Sequence, residues 1–283
     1  MSRTRPQRRR LSQRIPLPLA VLMLVYVVLN LYPFVWMIAT SFKTRTDSFT
    51  NSSLVPHPVS TEAWPSVWGQ MDVIGALGNS LLYSGATVAA VLAIYPMAGF
   101  VFAHAQFRGR DALFGALVVG LLVPNIVLLV PIVILAQETG TVNTWVGLLL
   151  PTISAAGPVP LYLMRNYFSL LPGELLEAAK LDGASFFASY VRIFLPLSIP
   201  ALTTSAILTL VYVWNTYILP SLLITDQGKF TLPLQLFSLN ASGAPGRNEL
   251  MAGAILIIVP LIAAFLLLQR YYIAGLMSGA TKS

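Results

Sequence analysis

Few residues of this chain could do chemistry: ten acids, seventeen Lys and Arg, two His and no Cys among 283 residues. A loop that cradles phosphate ends in Gly-Lys followed by Ser or Thr. Of the four lysines only Lys229 follows a glycine, and the next residue is Phe230. His57 and His104 stand alone in the sequence, without the spacing of metal ligands, and read as interfacial or turn histidines. Proton relays and ion-coupled carriers place acids or bases in the middle of apolar segments despite the cost, and the apolar segments here carry none in their central portions. Without cysteine there is neither a disulfide nor thiol chemistry. The sequence therefore offers no catalytic residue and no metal site. What stands out is a polar stretch between charge-free runs, EAAKLDGASFFASYVRIFLP at 177–196, holding Glu177, Lys180, Asp182 and Arg192.

The residues around this stretch predict a helix, a bend and a second short helix. In LLPGELLEAAKLDGAS, Pro172 suits a first helical turn and Glu174 favours the positive end of the helix. Leu175, Leu176, Ala178 and Ala179 supply an apolar, partly small-residue face. Lys180 lies near the C-terminal end, and Gly183 can adopt the left-handed conformation that closes a helix. A second helix follows from Ala184 towards Arg192. Two readings fit these residues: an amphipathic connector resting on a membrane, or a docking knob in which the alanines allow close approach and Glu177 presents a charge.

The elements that position this stretch are apolar. Hydrophobic residues make up 56% of the chain and charged residues 10%, with a mean hydropathy of +0.76; soluble domains carry about 25% charged residues. A bilayer core of about 30 Å takes about 20 apolar helical residues. Charge-free runs of that size occur at 15–42, 73–103, 112–137, 141–164, 193–225 and 250–269. The fold class is all-α, a polytopic membrane protein of six spans, the second entering near Leu77 and the fifth running from near Leu195 to Pro220. Pro124, Pro131 and Pro200 remove backbone donors inside these runs, which neighbouring helices or water must accommodate.

Orientation follows from Lys and Arg beside the spans. With the N-terminus inside, 13 of the 17 fall on the inner side and 4, Lys43, Arg45, Lys229 and Arg247, on the outer side. Both termini are expected in the cytoplasm. The net charge of +7 then answers to anionic membrane lipid and not to nucleic acid. The basic segment at 1–14 is read as a cytoplasmic tail before an uncleaved first span, because the apolar run exceeds the roughly 7–15 residues of a signal peptide. The remainder, 15–283, is read as one transmembrane domain with the polar segment at about 169–196. Outside, Trp64 and Trp68 suit either an interfacial helix or ordinary loop anchoring. The turn-forming run NASGAPG at 240–246 serves either as plain connection or as a probe for another protein.

The spacing Glu177-Ala178-Ala179, three residues, Gly183, nine residues, Ile193, one residue, Leu195-Pro196 resembles the EAA motif of membrane subunits of bacterial ATP-binding-cassette importers. Within that group the chain resembles the carbohydrate permeases of the maltose-transporter type, specifically the smaller, six-span partner. The supporting stretches are PFVWMIATSFK at 33–43, Asn79-Ser80, LVPNIVLLVP at 122–131, GTVNTWVGLLLP at 140–151, WNTYILPSLL at 214–223 and QRYYIAGLMSGATK at 269–282.

The resemblance implies a subunit of the bacterial cytoplasmic membrane that is not an enzyme and binds no cofactor. A second permease subunit would complete the path. Two ATPase subunits would bind ATP and Mg and hydrolyse the nucleotide, and an extracytoplasmic binding protein would deliver the solute. It assigns Glu177, Ala178, Ala179 and Gly183 to contact with the ATPase, with Lys180 and Asp182 at the rim. The tail residues Gly279, Ala280, Thr281 and Lys282 would also approach the ATPase, and the turn formed by Asn240, Ser242, Gly243, Pro245 and Gly246 the binding protein. Candidates for the translocation path are Asn125, Tyr212, Trp214, Asn215 and Tyr217, since amides and aromatic faces suit sugar hydroxyls and rings; the competing reading is interhelical hydrogen bonding and interfacial anchoring. A sugar is the expected solute. A glycerol phosphodiester or phosphate ester in the same architecture is the first alternative, followed by a secondary carrier acting alone and a membrane-anchored interaction protein.

Overall fold

The structure, a computed structural model, describes residues 16–243 and 245–280, with backbone alone for 268–280. The basic tail at 1–14 lies outside the described residues. Among the described residues the regular elements are helical, and the one strand-like feature is an isolated antiparallel bridge between Lys43 and Val59.

Three helices are long and apolar enough to cross a membrane unbroken: α1 (Leu17–Ser41), preceding the short α2 (Arg45–Thr50) and α3 (Ala63–Gln70); α4 (Val73–His104); and the 247–267 part of the last helix. The other three apolar runs are bent pairs. Helix α5 (Arg110–Val119), with a 3-10 turn to Leu122, meets a 3-10 turn from Asn125 and α6 (Leu129–Glu138) at 93°. Helices α7 (Trp145–Ala156) and α8 (Pro158–Leu170) meet at 43°. After α9 (Glu174–Leu181), the segment of α10 (Phe186–Ser189), a π-helical turn (Tyr190–Phe194) and α11 (Leu195–Leu197) meets α12 (Ile199–Trp214) at 78°. Then come α13 (Ile218–Leu223), α14 (Leu232–Ala241) and α15 (Arg247–Ala280). Counting each bent pair as one span, the described residues contain up to six spans.

The breaks have local causes. Val123, held extended (ψ 116°) ahead of Pro124, cannot continue the helix, and Pro124 supplies no N–H. Pro131 and Pro200 instead sit in first turns, where the missing N–H costs nothing. Helix α4 starts at Val73, because Asp72 Oδ1 accepts from Gly75 N at 3.0 Å and caps it. The fifth span does not run continuously from Leu195 to Pro220: it bends at the buried Ser198 and loses helical form at Asn215.

The chain forms two compact units. Among the described residues, the first comprises 16–64 together with Gly246–Ala252. Its interior is polar: Lys43 is wholly buried, and its Nζ donates to Asn51 O at 2.6 Å and Ser53 O at 2.7 Å. Asn248 Nδ2 donates to Lys43 O at 3.0 Å. The His57 N–H donates to Asp47 Oδ2 at 3.1 Å and holds that carboxyl below its ordinary range. A buried charge survives only when paired in this way.

The second unit comprises Pro65–Pro245 and Gly253 onward. Helix α4 is its axis and packs on α7, α8 and α12. One apolar cluster gathers Tyr83, Leu148, Val213, Leu223 and Leu234; another gathers Phe100, Met164, Phe168, Leu176, Tyr190 and Phe194. Side chains tie the span ends to neighbouring backbone. Asn79 Nδ2 donates to Gly228 O (2.8 Å) and Phe230 O (3.0 Å), and Ser80 Oγ accepts from Leu232 N (2.8 Å). Asn143 Oδ1 accepts from Thr225 N (3.3 Å) and Asp226 N (3.1 Å), while Lys229 Nζ donates to Asn143 O (2.9 Å).

Helices α4 and α8 approach most tightly at Gly99, where a Cβ would lie 2.9 Å from both Arg165 N and Met164 Cβ. Gly99→Ala is therefore expected to lower stability by about 1–3 kcal/mol through overpacking. Gly85→Ala in the same helix meets nothing within 4 Å and should leave stability unchanged or raise it by about 0.5–1 kcal/mol. Thermal unfolding of the two variants in detergent separates these outcomes.

Candidate functional site

Helix α9 is short, and its ends are set by sequence. Glu174 and Glu177 occupy the first turn and Lys180 the last, each at the end of the dipole that favours it. Gly183 has φ +78°, and the following N–H closes the helix from Ala184 to Ala179 O at 2.9 Å. Leu176 and Ala179 are buried, whereas Glu177, Ala178, Lys180, Asp182 and Gly183 are exposed. The expected contact role of Ala179 is thus corrected: its methyl faces the interior of this chain. Ala178, grouped by sequence with Leu176 and Ala179 on one apolar face, is exposed while those two are buried. Leu181, not singled out by sequence reasoning, is 89% exposed, and Phe187 is exposed as well. Leu181 follows Glu177 by four residues and shares its face; an apolar side chain on a polar face was the signal for it.

The segment is anchored by rings. Ser185 Oγ accepts from Ala188 N at 3.1 Å and starts α10. Around Phe100 lie the rings of Phe186 (4.7 Å), Phe194 (4.9 Å), His104 (5.0 Å), Tyr190 (5.3 Å) and Phe168 (5.6 Å). Leu176 of α9 buries itself in the same cluster. Tyr167 donates its hydroxyl to Leu197 O at 3.0 Å, fastening α8 to α11.

A cavity of about 1180 Å³ opens among α4 to α8, α12 and α13. Four of the five sequence candidates for a path line it: Asn125, Tyr212, Asn215 and Tyr217. Trp214 does not. It is buried, and its Nε1 donates to Ile257 O at 3.0 Å, so it fastens α12 to α15. At about 100° per residue, position 214 faces away from 212, which is the reason for this correction. Asn125 Nδ2 donates to the Tyr212 hydroxyl at 3.2 Å. Asn215 Nδ2 donates to Val211 O and Thr216 Oγ1 to Tyr212 O, both at 2.8 Å. The Tyr217 ring packs on Phe237 at 5.2 Å. Thr139, Thr141, Thr152, Ser154 and Tyr95 also line the cavity and were not legible before the fold was known. No Asp, Glu, Lys, Arg or His is among the described lining residues.

The turn at 240–246 divides. Asn240, Ser242 and Gly243 (φ +71°) form an exposed tip after α14; Pro245 is half-buried, and Ala244 lies outside the described residues. Gly246 is buried, and a Cβ there would meet Asn248 and come within 3.0 Å of Arg45 Cγ. Its expected place in an exposed probe is therefore corrected, since its backbone serves close packing. Gly279 and Ala280 end α15, while Thr281 and Lys282 lie outside the described residues. Among the described residues no three His, Asp or Glu converge into a metal-holding group.

Residues 95–277 match the family of binding-protein-dependent transport system inner membrane components. The chain is 32% identical to the probable ABC transporter permease protein YurM of Bacillus subtilis, over 93% of this chain and 87% of that one. It is 31% identical to the trehalose transport system permease protein SugB of Mycobacterium tuberculosis, over 93% and 96%. It is also 31% identical to the trehalose/maltose transport system permease protein MalG of Thermococcus litoralis, over 92% and 94%. A crystal structure of a bacterial ABC transporter involved in the import of the acidic polysaccharide alginate contains a chain of the same fold. The TM-score is 0.73, covering 89% of this chain and 94% of that one, at 20% identity.

Burial separates anchor from exposed face in α9. Leu176→Ala should cost about 2–5 kcal/mol by opening a cavity beneath the helix. Leu181→Ser should stay within about 0.5 kcal/mol of the parent, as exposed substitutions do. Thermal unfolding in detergent checks both.

Proposed function

Because this chain belongs to the family of binding-protein-dependent transport system inner membrane components, we propose that it carries a neutral sugar across the membrane as the permease subunit of an ATP-binding-cassette importer. It is a multi-pass membrane protein and a transporter component rather than an enzyme. The observation that carries the solute class is the uncharged lining of the cavity, whose polar groups are amides and hydroxyls. A phosphate ester or phosphodiester would call for Arg or Lys beside its anionic oxygens. Two of the relatives above are named for trehalose and for trehalose and maltose. The missing ionisable groups also argue against a carrier driven by ion coupling.

The partners of this reading are a second permease subunit, two ATPase subunits holding ATP and Mg, an extracytoplasmic binding protein and the surrounding lipid. The chain sits in the bacterial cytoplasmic membrane with both termini inside, which puts 13 of 17 Lys and Arg on the cytoplasmic side. The outward face of α9, with Glu177, Ala178, Lys180, Leu181, Asp182 and Gly183, docks in the ATPase. Ala179 and Leu176 hold that helix in place. The tail at 279–282 lies towards the ATPase, and the exposed tip Asn240, Ser242 and Gly243 meets the binding protein. ATP-driven closure of the ATPases shifts the permease between inward-facing and outward-facing arrangements.

Proteoliposomes containing the complete importer test the solute class. With ATP inside and the binding protein outside, they should accumulate labelled trehalose, maltose or raffinose and not glycerol 3-phosphate. Accumulation of the phosphate ester alone would overturn the neutral-sugar reading.

Docking is tested by Glu177→Lys, which reverses an exposed charge without straining α9. Uptake and co-purification of the ATPase, both normalised to permease abundance, should fall about tenfold, the size of one lost charge-assisted contact. A connector that merely rests on lipid predicts normal values, since Lys is favoured at the inner leaflet.

A further inference from the structure

We propose that Asn125 and Tyr212 form the subsite of this subunit that receives the sugar, by gripping a vicinal diol. The inference rests on the neutral-sugar reading and names residues and contact chemistry within it. The two side chains come from different broken spans. Asn125 opens the 3-10 turn directly after the 93° bend at Val123–Pro124. Tyr212 stands one turn before α12 loses helical form at Asn215. They meet through Nδ2 of Asn125 and the Tyr212 hydroxyl at 3.2 Å, at the long end for such a bond.

That bond uses little of what the pair offers. Among the described residues, the second Nδ2 hydrogen, Asn125 Oδ1 and the Tyr212 hydroxyl hydrogen have no protein partner. A donor, an acceptor and a rotating hydroxyl therefore stand together in a cavity whose other walls include Ile94, Leu117, Ile126 and Ile132. Two adjacent sugar hydroxyls supply the complement: one donates to Oδ1 while accepting from Nδ2, and the other accepts from the tyrosine. The neighbouring polar groups are less available, because Asn215 and Thr216 already bond to Val211 O and Tyr212 O. When the binding protein opens, a solute without such a grip diffuses back out, and the ATP of that cycle is spent without import. The measurable quantity is therefore sugar imported per ATP hydrolysed.

The test uses the complete importer in proteoliposomes with whichever of trehalose, maltose and raffinose the wild type imports. Tyr212→Phe removes the hydroxyl at constant ring volume, and Asn125→Leu removes the amide at similar size. Each should lower sugar imported per ATP about tenfold, the effect of one hydrogen bond to a desolvated partner. With monodeoxy analogues of the same sugar, at least one should lose about as much in the wild type, and that analogue should lose nothing further in Tyr212→Phe, the non-additivity of a direct contact. An unchanged ratio in both variants, or losses that add for every analogue, overturns the subsite while the neutral-sugar reading stands. Import of none of the three sugars by the wild type overturns both.

Discussion

The ring of Phe100 is the contact on which the polar segment depends. Helix α9 has eight residues, too few to hold helical form alone, since isolated helices below about 12–15 residues are marginal in water. Its order is lent by burial of Leu176 and Ala179. Leu176 in turn rests on the cluster in which Phe186, Tyr190, Phe194, Phe168 and His104 surround Phe100. Such interiors are close-packed and deform little. Helix α9 therefore rests on the same packed rings that join α4 and α8. The π-helical turn at Tyr190–Phe194 is part of this arrangement, because it brings Tyr190 and Phe194 onto the same ring.

How much of this was legible in the sequence depended on which interactions leave a local mark. Charge and hydropathy marked the apolar runs, and Gly183 announced the left-handed helix end that the backbone adopts. The break at Pro124 could be suspected from the proline, but not distinguished from Pro131 and Pro200, which sit in first turns. The bend at Ser198 was not foreseen, although Pro196 and Pro200 flank it in the sequence. Trp214, Ala179 and Gly246 were misjudged for one common reason. Residue type names what a side chain can do, while the face it occupies is fixed by packing partners far away in sequence, such as Ile257 for Trp214. Leu181 was overlooked although its place four residues after Glu177, on the polar face, marks it for exposure.

The helix breaks and the cavity belong to one constraint. Where water is scarce, freed backbone groups need partners from the protein. Thr216 provides one where α12 ends, by bonding to Tyr212 O, and the Asn215 amide adds a second bond to Val211 O beside that of its own backbone N–H. The same residues line the cavity. Polar surface in the cavity is thereby bound up with the interruption of α12, and a straight helix at this point would give up both.

The fastenings at Asn79, Ser80, Asn143 and Lys229 share a property with evolutionary weight: each joins a side chain to main-chain atoms of residues 143 or 225–232. A main-chain carbonyl or amide is present whatever residue carries it, proline nitrogen excepted. Apart from Lys229, whose own side chain makes one of them, the connecting segment from Thr225 to Leu232 is accordingly free to drift in residue identity while keeping these bonds. It has no such freedom in length. One residue inserted or deleted there moves the groups that Asn79 and Asn143 hold by about 3.3–3.6 Å along the chain, more than the bonds can span. Selection on this part of the molecule would act as a ruler rather than as a reader of letters.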